Sequence, residues 1–271
     1  SQVSGLPTGL TWAIITAGYR HSCGLTINGS AHCWGDDEYS QVSGLPTGLT
    51  WATISAGYDH SCGATTNGSA SCWGRDGFNQ VSSIPTGLAW SSISAGHDHS
   101  CGATTNGDAH CWGTNKSSQV SNMPTGLTWA SVSAGNTHSC GLTTNLTIHC
   151  WGDDTHEQVS GIPTLTSFGW ASVSAGDFHS CGTTTDHSGH CWGSNFEQQS
   201  SIAPSGLQWE IISAGYQHSC GVTPIGSAHC WGQDHDGQVS EIPDNLTWDT
   251  NFSMLTPSPP LPSPPPSPPP P

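Results

Sequence analysis

Apolar residues in this chain fall in short runs, and Gly or Pro breaks the pattern every few positions. The first runs with strand character are Gln2-Val3-Ser4, Ala13-Ile14-Ile15-Thr16, His21 to Thr26 and Ser30 to Trp34. Runs this short, bounded by turn residues, predict strands. No window sustains a 3.6-residue apolar period, so helices are expected to be scarce. The whole pattern then recurs. The triplet Cys-Trp-Gly begins at Cys33, Cys72, Cys111, Cys150, Cys191 and Cys230, at intervals of 39, 39, 39, 41 and 39 residues. A second signature, Gln-Val-Ser-x-x-Pro-x-x-Leu-x-Trp, occurs seven times with local variation. Its Trp residues are Trp12, Trp51, Trp90, Trp129, Trp170, Trp209 and Trp248, and with those of the triplet they account for all 13 Trp.

A period near 40 residues with four short strands per unit is the signature of a propeller blade. A solenoid would need atypical capping copies, and the outermost copies here are ordinary. The expected fold is all-β: a β-propeller of six four-stranded blades over residues 1–252, then a polyproline II tail over residues 253–271. A seventh blade enters only if residues upstream of Ser1 belong to the domain. The N-terminal half-repeat and the segment around Gln238-Val239-Ser240 are candidates for a ring-closing strand. The first residues carry no charged-then-apolar leader. A removed signal peptide or a start inside a longer protein is expected, and the chain is expected to run on beyond Pro271.

Twelve Cys at regular spacing read as disulfides in an oxidising compartment. Each unit holds one pair ten positions apart: Cys23/Cys33, Cys62/Cys72, Cys101/Cys111, Cys140/Cys150, Cys181/Cys191 and Cys220/Cys230. If Cys23 faces Cys33 across a hairpin, Thr26 faces Ser30 and Ile27-Asn28-Gly29 form the loop. Three-residue loops with Gly in the left-handed position are favoured. That register brings the two sulfurs within bonding reach. Metal ligation by Cys and His is the rival reading, but zinc sites favour Cys spacings of about two to four residues.

The unit W-x-x-I-S-A-G-x-x-H-S-C-G-L-T-x-N-G-x-x-x-C-W-G resembles the repeat of the regulator-of-chromosome-condensation propeller family. The second copy matches through Ile54-Ser55-Ala56-Gly57 and His60-Ser61-Cys62-Gly63, the sixth through Ile212-Ser213-Ala214-Gly215 and His218-Ser219-Cys220-Gly221. The resemblance covers residues 1–250 and implies the propeller; the short unit is most similar to the family's bacterial branch. Members that exchange nucleotides or bind nucleosomes use basic loops and inserted wedges. Such loops are missing here, so those activities do not carry over. Protein binding through loops at one face of the ring remains as an implication of the resemblance.

Charge bears this out. Lys and Arg number three (Arg20, Arg75 and Lys116) against 19 acids, a net charge of −16. A chain so poor in cations cannot neutralise a run of phosphates or dock on an anionic membrane. No apolar stretch is long enough to cross a membrane as a helix. His21, His60, His99, His138, His179 and His218 share one position of the unit. The plain reading is a structural His bonded to the preceding Ala-Gly turn; the alternative is a metal or proton-sensing ring. Acids such as Asp36/Asp37 and Asp153/Asp154 read as solvated turn residues rather than a calcium or glycosidase site. No nucleophile, metalloprotease or phosphate-loop motif appears. No catalytic residue, metal or cofactor is assigned, and the chain is not expected to be an enzyme.

Six sequons stand at Asn28, Asn67, Asn115, Asn145, Asn245 and Asn251, three of them (Asn28, Asn67 and Asn145) at one hairpin tip. An exposed tip suits an N-linked glycan. From Thr256 the sequence becomes TPSPPLPSPPPSPPPP, a composition that takes the polyproline II form. It resembles the hydroxyproline-rich, extensin-like glycoproteins of plant and green-algal walls and surface fibres. That resemblance implies hydroxylation and O-linked sugar at Pro259, Pro260, Pro262, Pro264, Pro265, Pro266, Pro268, Pro269 and Pro270. The expected role is a structural subunit of an extracellular glycoprotein assembly that joins like or unlike copies through its proline tail. The alternative is a secreted recognition module, a lectin or a protein-binding propeller.

Overall fold

The computed structural model describes residues 7–201, 204, 206–235, 237, 239 and 240. The proline-rich tail, Asn245, Asn251, Gln2-Val3-Ser4 and Gln238 lie outside the described residues. All regular structure among those described is β. The first blade is an antiparallel meander of β1 (Trp12–Ala17), β2 (His21–Thr26) and β3 (Ala31–Gly35). The next is β4 (Trp51–Ala56), β5 (His60–Thr65) and β6 (Ala70–Gly74). Then follow β7 (Trp90–Ala95), β8 (His99–Thr104), β9 (Ala109–Gly113), β10 (Trp129–Ala134), β11 (His138–Thr143) and β12 (Ile148–Gly152). The last two blades are β13 (Trp170–Ala175), β14 (His179–Thr184) and β15 (Gly189–Gly193), and β16 (Ile211–Ala214), β17 (His218–Val222) and β18 (Ala228–Gly232).

Each blade thus has three strands, not four. In the described copies beginning at Gln41, Gln80, Gln119 and Gln158, the run expected as a fourth strand, Gln-Val-Ser, is a tight turn. In the first linker the Asp37 Oδ1 accepts from the backbone N–H groups of Val42 and Ser43, at 2.8 and 2.9 Å. Asp76, Asn115, Asp154 and Asp234 do the same in later linkers. A side chain that satisfies two successive amides removes them from any ladder. The Gln side chain is buried outright: Gln41, Gln80 and Gln158 are 0% exposed. Its Oε1 accepts from the N–H two residues earlier, as from Tyr39 to Gln41 at 2.8 Å. Its backbone carbonyl accepts from the Trp indole of the next blade, as from Trp73 Nε1 at 2.9 Å. Val42 is only half-buried beside it. The apolar-looking run is a buried polar anchor.

The core lies between blades. Residues His21, Cys23 and Leu25 of β2 face the following blade, where Cys23 and Leu25 pack against Trp51, Ile54 and Trp73. On the other face of β5, Gly63 lets the Trp51 ring lie flat on the strand; a Cβ there would sit 2.7 Å from the ring. The same seam recurs with Cys62, Trp90 and Trp112, then with Cys101, Trp129 and Trp151. All six predicted disulfides form with Cα–Cα distances of 4.0 Å, in the register Cys23↔Cys33 and its equivalents. The loop follows as the sequence implies, with Thr26 N–H donating to the Ser30 carbonyl at 2.9 Å. The first five bridges are therefore both cross-strand staples and part of the apolar seams.

The repeated His bonds the Ala-Gly turn through its backbone carbonyl, as His21 does to the Gly18 N–H at 2.9 Å, and not through its ring as expected. Its Nε2 reaches forward to the Ser of the next blade: His21 to Ser61, His60 to Ser100, His99 to Ser139, His138 to Ser180 and His179 to Ser219, all at 2.8–2.9 Å. Each Ser hydroxyl donates to a Gln carbonyl, as Ser61 does to Gln41. Its hydrogen being committed, it accepts from the His, which places a ring hydrogen on Nε2. The Nδ1 atoms of the five are buried without a hydrogen-bond partner.

The Gly of Ala-Gly is required by close approach. A Cβ on Gly96 would lie 2.4 Å from the Gly135 carbonyl oxygen, backbone on both sides. Gly96→Ala is expected to destabilise by about 2–4 kcal/mol. Gly48→Ala meets no neighbour and carries only its φ of +75°, so its cost is about 1 kcal/mol. Urea unfolding followed by Trp fluorescence separates the two.

Candidate functional site

Blade geometry sorts the loops to two ends. The hairpin tips between the second and third strands lie at one end. The Ala-Gly-x-x-His turns and the linkers after Cys-Trp-Gly lie together at the other, joined by bonds such as Asp36 N–H to the Arg20 carbonyl at 2.9 Å. Neighbouring turns are tied in sequence. The first x residue donates its N–H to the Gly carbonyl of the next blade: Tyr19 to Gly57, Tyr58 to Gly96, His97 to Gly135, Asn136 to Gly176 and Asp177 to Gly215, at 3.1–3.2 Å. A uniform backbone ladder thus carries six side chains of four kinds side by side: Tyr19, Tyr58, His97, Asn136, Asp177 and Tyr216.

This row is where the repeats diverge. Tyr19 stacks on Tyr58 with centroids 4.2 Å apart, and Tyr58 on His97 at 3.8 Å. Asn136 donates from Nδ2 to Asp177 at 3.2 Å. Phe178 meets Tyr216 edge-on at 5.9 Å, and His156 meets Phe178 and Phe196. Below the stack, Arg75 lies 3.5 Å from Asp59 and 3.6 Å from Asp98, and His97 Nδ1 is 3.2 Å from Asp98. All three cations lie over aromatic rings: Arg20 over Tyr19, Arg75 over Tyr39 and Phe78, and Lys116 over Phe78.

The carboxylates of the row divide. Burial pushes Asp177 up to about 6, against His97 and the Asn136 hydrogen bond. Burial also raises Asp59, with Arg75 opposing. At Asp98 burial acts upward too, but the His97 hydrogen bond and the charges of His97 and Arg75 win and hold it below the usual range. Among the described residues no group of three His, Cys, Asp or Glu is placed to hold a metal ion. The row offers π faces, hydroxyls and a few clamped charges, the equipment of a binding surface.

Sequence reasoning did not single out this row, because the repeat motif leaves its positions as x. The signal was there: all four Tyr of the chain fall in these turns or linkers. The sequon residues Asn28, Asn67 and Asn145 are exposed at the opposite, tip end. At Asn28 the Oδ1 accepts from the Thr26 hydroxyl and the Ser30 N–H. Asn115 is exposed on a linker at the aromatic end, its Oδ1 capping the turn. The paired acids Asp36/Asp37 and Asp153/Asp154 cap and anchor their linkers, with Asp36 and Asp153 accepting from Gln41 and Gln158.

Fold and surface together define a disulfide-stapled propeller with a variable aromatic end on a uniform frame. The model of the regulator of chromosome condensation (RCC1) repeat matches residues 12–41, 51–80, 90–119, 129–158, 170–199 and 210–238, and the chain belongs to that family. The ectodomain of the Physcomitrella patens receptor kinase CR4 is 29% identical with a TM-score of 0.71, over 86% of this chain and 64% of that one. This chain therefore spans less than two thirds of that ectodomain. The CRINKLY WD40 ectodomain of the Arabidopsis thaliana receptor kinase ACR4 is 28% identical with a TM-score of 0.67, over 84% and 83%. Prp20p of Saccharomyces cerevisiae, 16% identical with a TM-score of 0.70 over 80% and 71%, shares the fold. No curated protein sequence matches. Ectodomain neighbours and six disulfides are consistent with an extracellular, protein-binding propeller.

Proposed function

We propose that this protein is a building block of an extracellular glycoprotein assembly, with the propeller as rigid block and the proline-rich C-terminal segment as tether. The observation that carries the reading is the separation of chemistries: three sequon tips at one end of the blades, the aromatic row at the other. Sugar at Asn28, Asn67 and Asn145 would shield the tip end, whereas the aromatic end carries one described sequon, Asn115, on the linker beside Lys116. The near-identity of the repeats supports a non-enzymatic role, since catalysis calls for one unique constellation. Peptide mass spectrometry of native material is expected to find glycan on the hairpin-tip sequons and hydroxyproline within residues 259–270. Bare Asn residues together with unmodified Pro would sink the proposal.

A second reading, a secreted recognition module, is favoured by the aromatic row and the receptor ectodomain neighbours. A discrete soluble ligand from glycan-array or pull-down experiments would select it.

A further inference from the structure

The aromatic end concentrates what the rest of the chain lacks. All four Tyr and all three cations of the sequence stand in its turns and linkers, with Phe78, Phe178 and Phe196. Tyr19, Tyr39 and Tyr216 are 42–47% exposed, and Phe196 is 80% exposed. Folding does not require this, because the apolar seams are already built from the Trp pairs and Cys bridges at invariant positions. Exposed aromatic side chains grouped on one surface mark a contact site.

The chemistry of the surface narrows its occupant. A polyproline II segment docks by laying its rings on aromatic faces, and it needs no opposite charge. Proline accepts hydrogen bonds but cannot donate them. Tyr hydroxyls, Arg20, Arg75 and Lys116 are donors in an otherwise acidic protein. Residues 256–271 of this same chain fit: eleven of the sixteen are Pro and none is charged. An uncharged rod approaches a body of net charge −16 without repulsion, whereas an acidic partner does not. Sixteen residues at about 3.1 Å each reach roughly 50 Å, enough to cross a domain of this size. Proline-rich rods are stiff, which disfavours folding back on the domain that carries them.

We propose that the row Tyr19–Tyr58–His97, with its flanking Arg20 and Arg75, is a docking surface for the proline-rich segment 256–271 of a second copy of this chain. Such head-to-tail contact is heterologous and propagates into an open filament unless the rotation closes. The inference rests on the assembly reading above and names the contact that would build it.

The test uses the full chain in analytical ultracentrifugation. Self-association rising with concentration is expected, and a synthetic peptide of residues 256–271 in excess is expected to reverse it. Tyr58→Ala and Tyr19→Ala should each weaken association by about tenfold or more, while Ile27→Ala, exposed at the opposite end, should leave it unchanged. Thermal unfolding by circular dichroism checks that each variant is folded. Arg20→Gln is a second probe that keeps the rings in place and should weaken association several-fold. A chain that stays monomeric at all concentrations overturns the proposal, as does association that the peptide does not compete or that Tyr58→Ala, Tyr19→Ala and Arg20→Gln leave intact. Glycan and hydroxyproline found in native material beside a monomeric chain would remove this contact and leave the assembly reading standing.

Discussion

Reduction of the six disulfides is expected to abolish cooperative folding near about 37 °C. Each bridge spans a sequence separation of 10. Loops of that size restrain the unfolded chain by about 2–3 kcal/mol apiece. Six of them rival the whole stability of an ordinary domain, about 5–15 kcal/mol. The loss is compounded because Cys23, Cys62, Cys101, Cys140 and Cys181 are 0% exposed and sit in the seams between blades. Near-UV circular dichroism and limited proteolysis, with and without reductant, read the effect. Replacing one pair, Cys101→Ser with Cys111→Ser, should lower Tm by roughly 5–10 °C. A reduced protein with an unchanged melting curve would show that the bridges are incidental to the fold.

The second large effect is acid unfolding through the histidine ladder. Burial lowers His21 and His138 to about 4 and His60, His99 and His179 to about 3. An unfolded His titrates near about 6.5. The folded values are depressed, so between those limits the unfolded chain binds more protons and stability falls as pH falls. The contribution is complete above about pH 6.5 and is lost progressively down to about pH 3–4. Each His adds a slope of about 1.4 kcal/mol per pH unit inside that window. The capping carboxylates Asp37, Asp76, Asp154 and Asp234 are lowered and act in the same sense, at lower pH. Asp177, raised to about 6, and Asp59, also raised by burial, oppose this but are outnumbered by the lowered histidines. Protonation must place a charge at Nδ1, where no buried acceptor waits. A melting temperature that falls steeply from pH 6.5 to 4.5 is expected, and a flat one would falsify the ladder's role. His99→Gln should make the slope shallower by about one proton.

Much of the frame could be read from residues alone. The spacing of Cys23 and Cys33 implied the hairpin register, and β2 and β3 pair in it. The run Ala13–Thr16 fell within β1, and His21–Thr26 matched β2. The Gln-Val-Ser run misled because a buried amide that anchors a turn has the same alternating look as a strand. Only the Asp four residues upstream, bonded to the Val and Ser amides, distinguishes the two. The His assignment failed for a related reason. Its partner Ser lies about 40 residues away in the next blade, so no local pattern reveals it. The aromatic row was hidden because its members are variable in a motif defined by what repeats.

Seams of identical make, with every bridge internal to one blade, also fix how the molecule would respond to tension. Pulled from its ends, the chain would shed blades singly, because no disulfide crosses a seam among the described residues. Each released repeat would lengthen by only about 29 of its residues, roughly 100 Å at full extension, since the segment behind the bridge stays closed. A block rigid at low load would then let out its length in equal, limited steps at high load, as a graded shock absorber does.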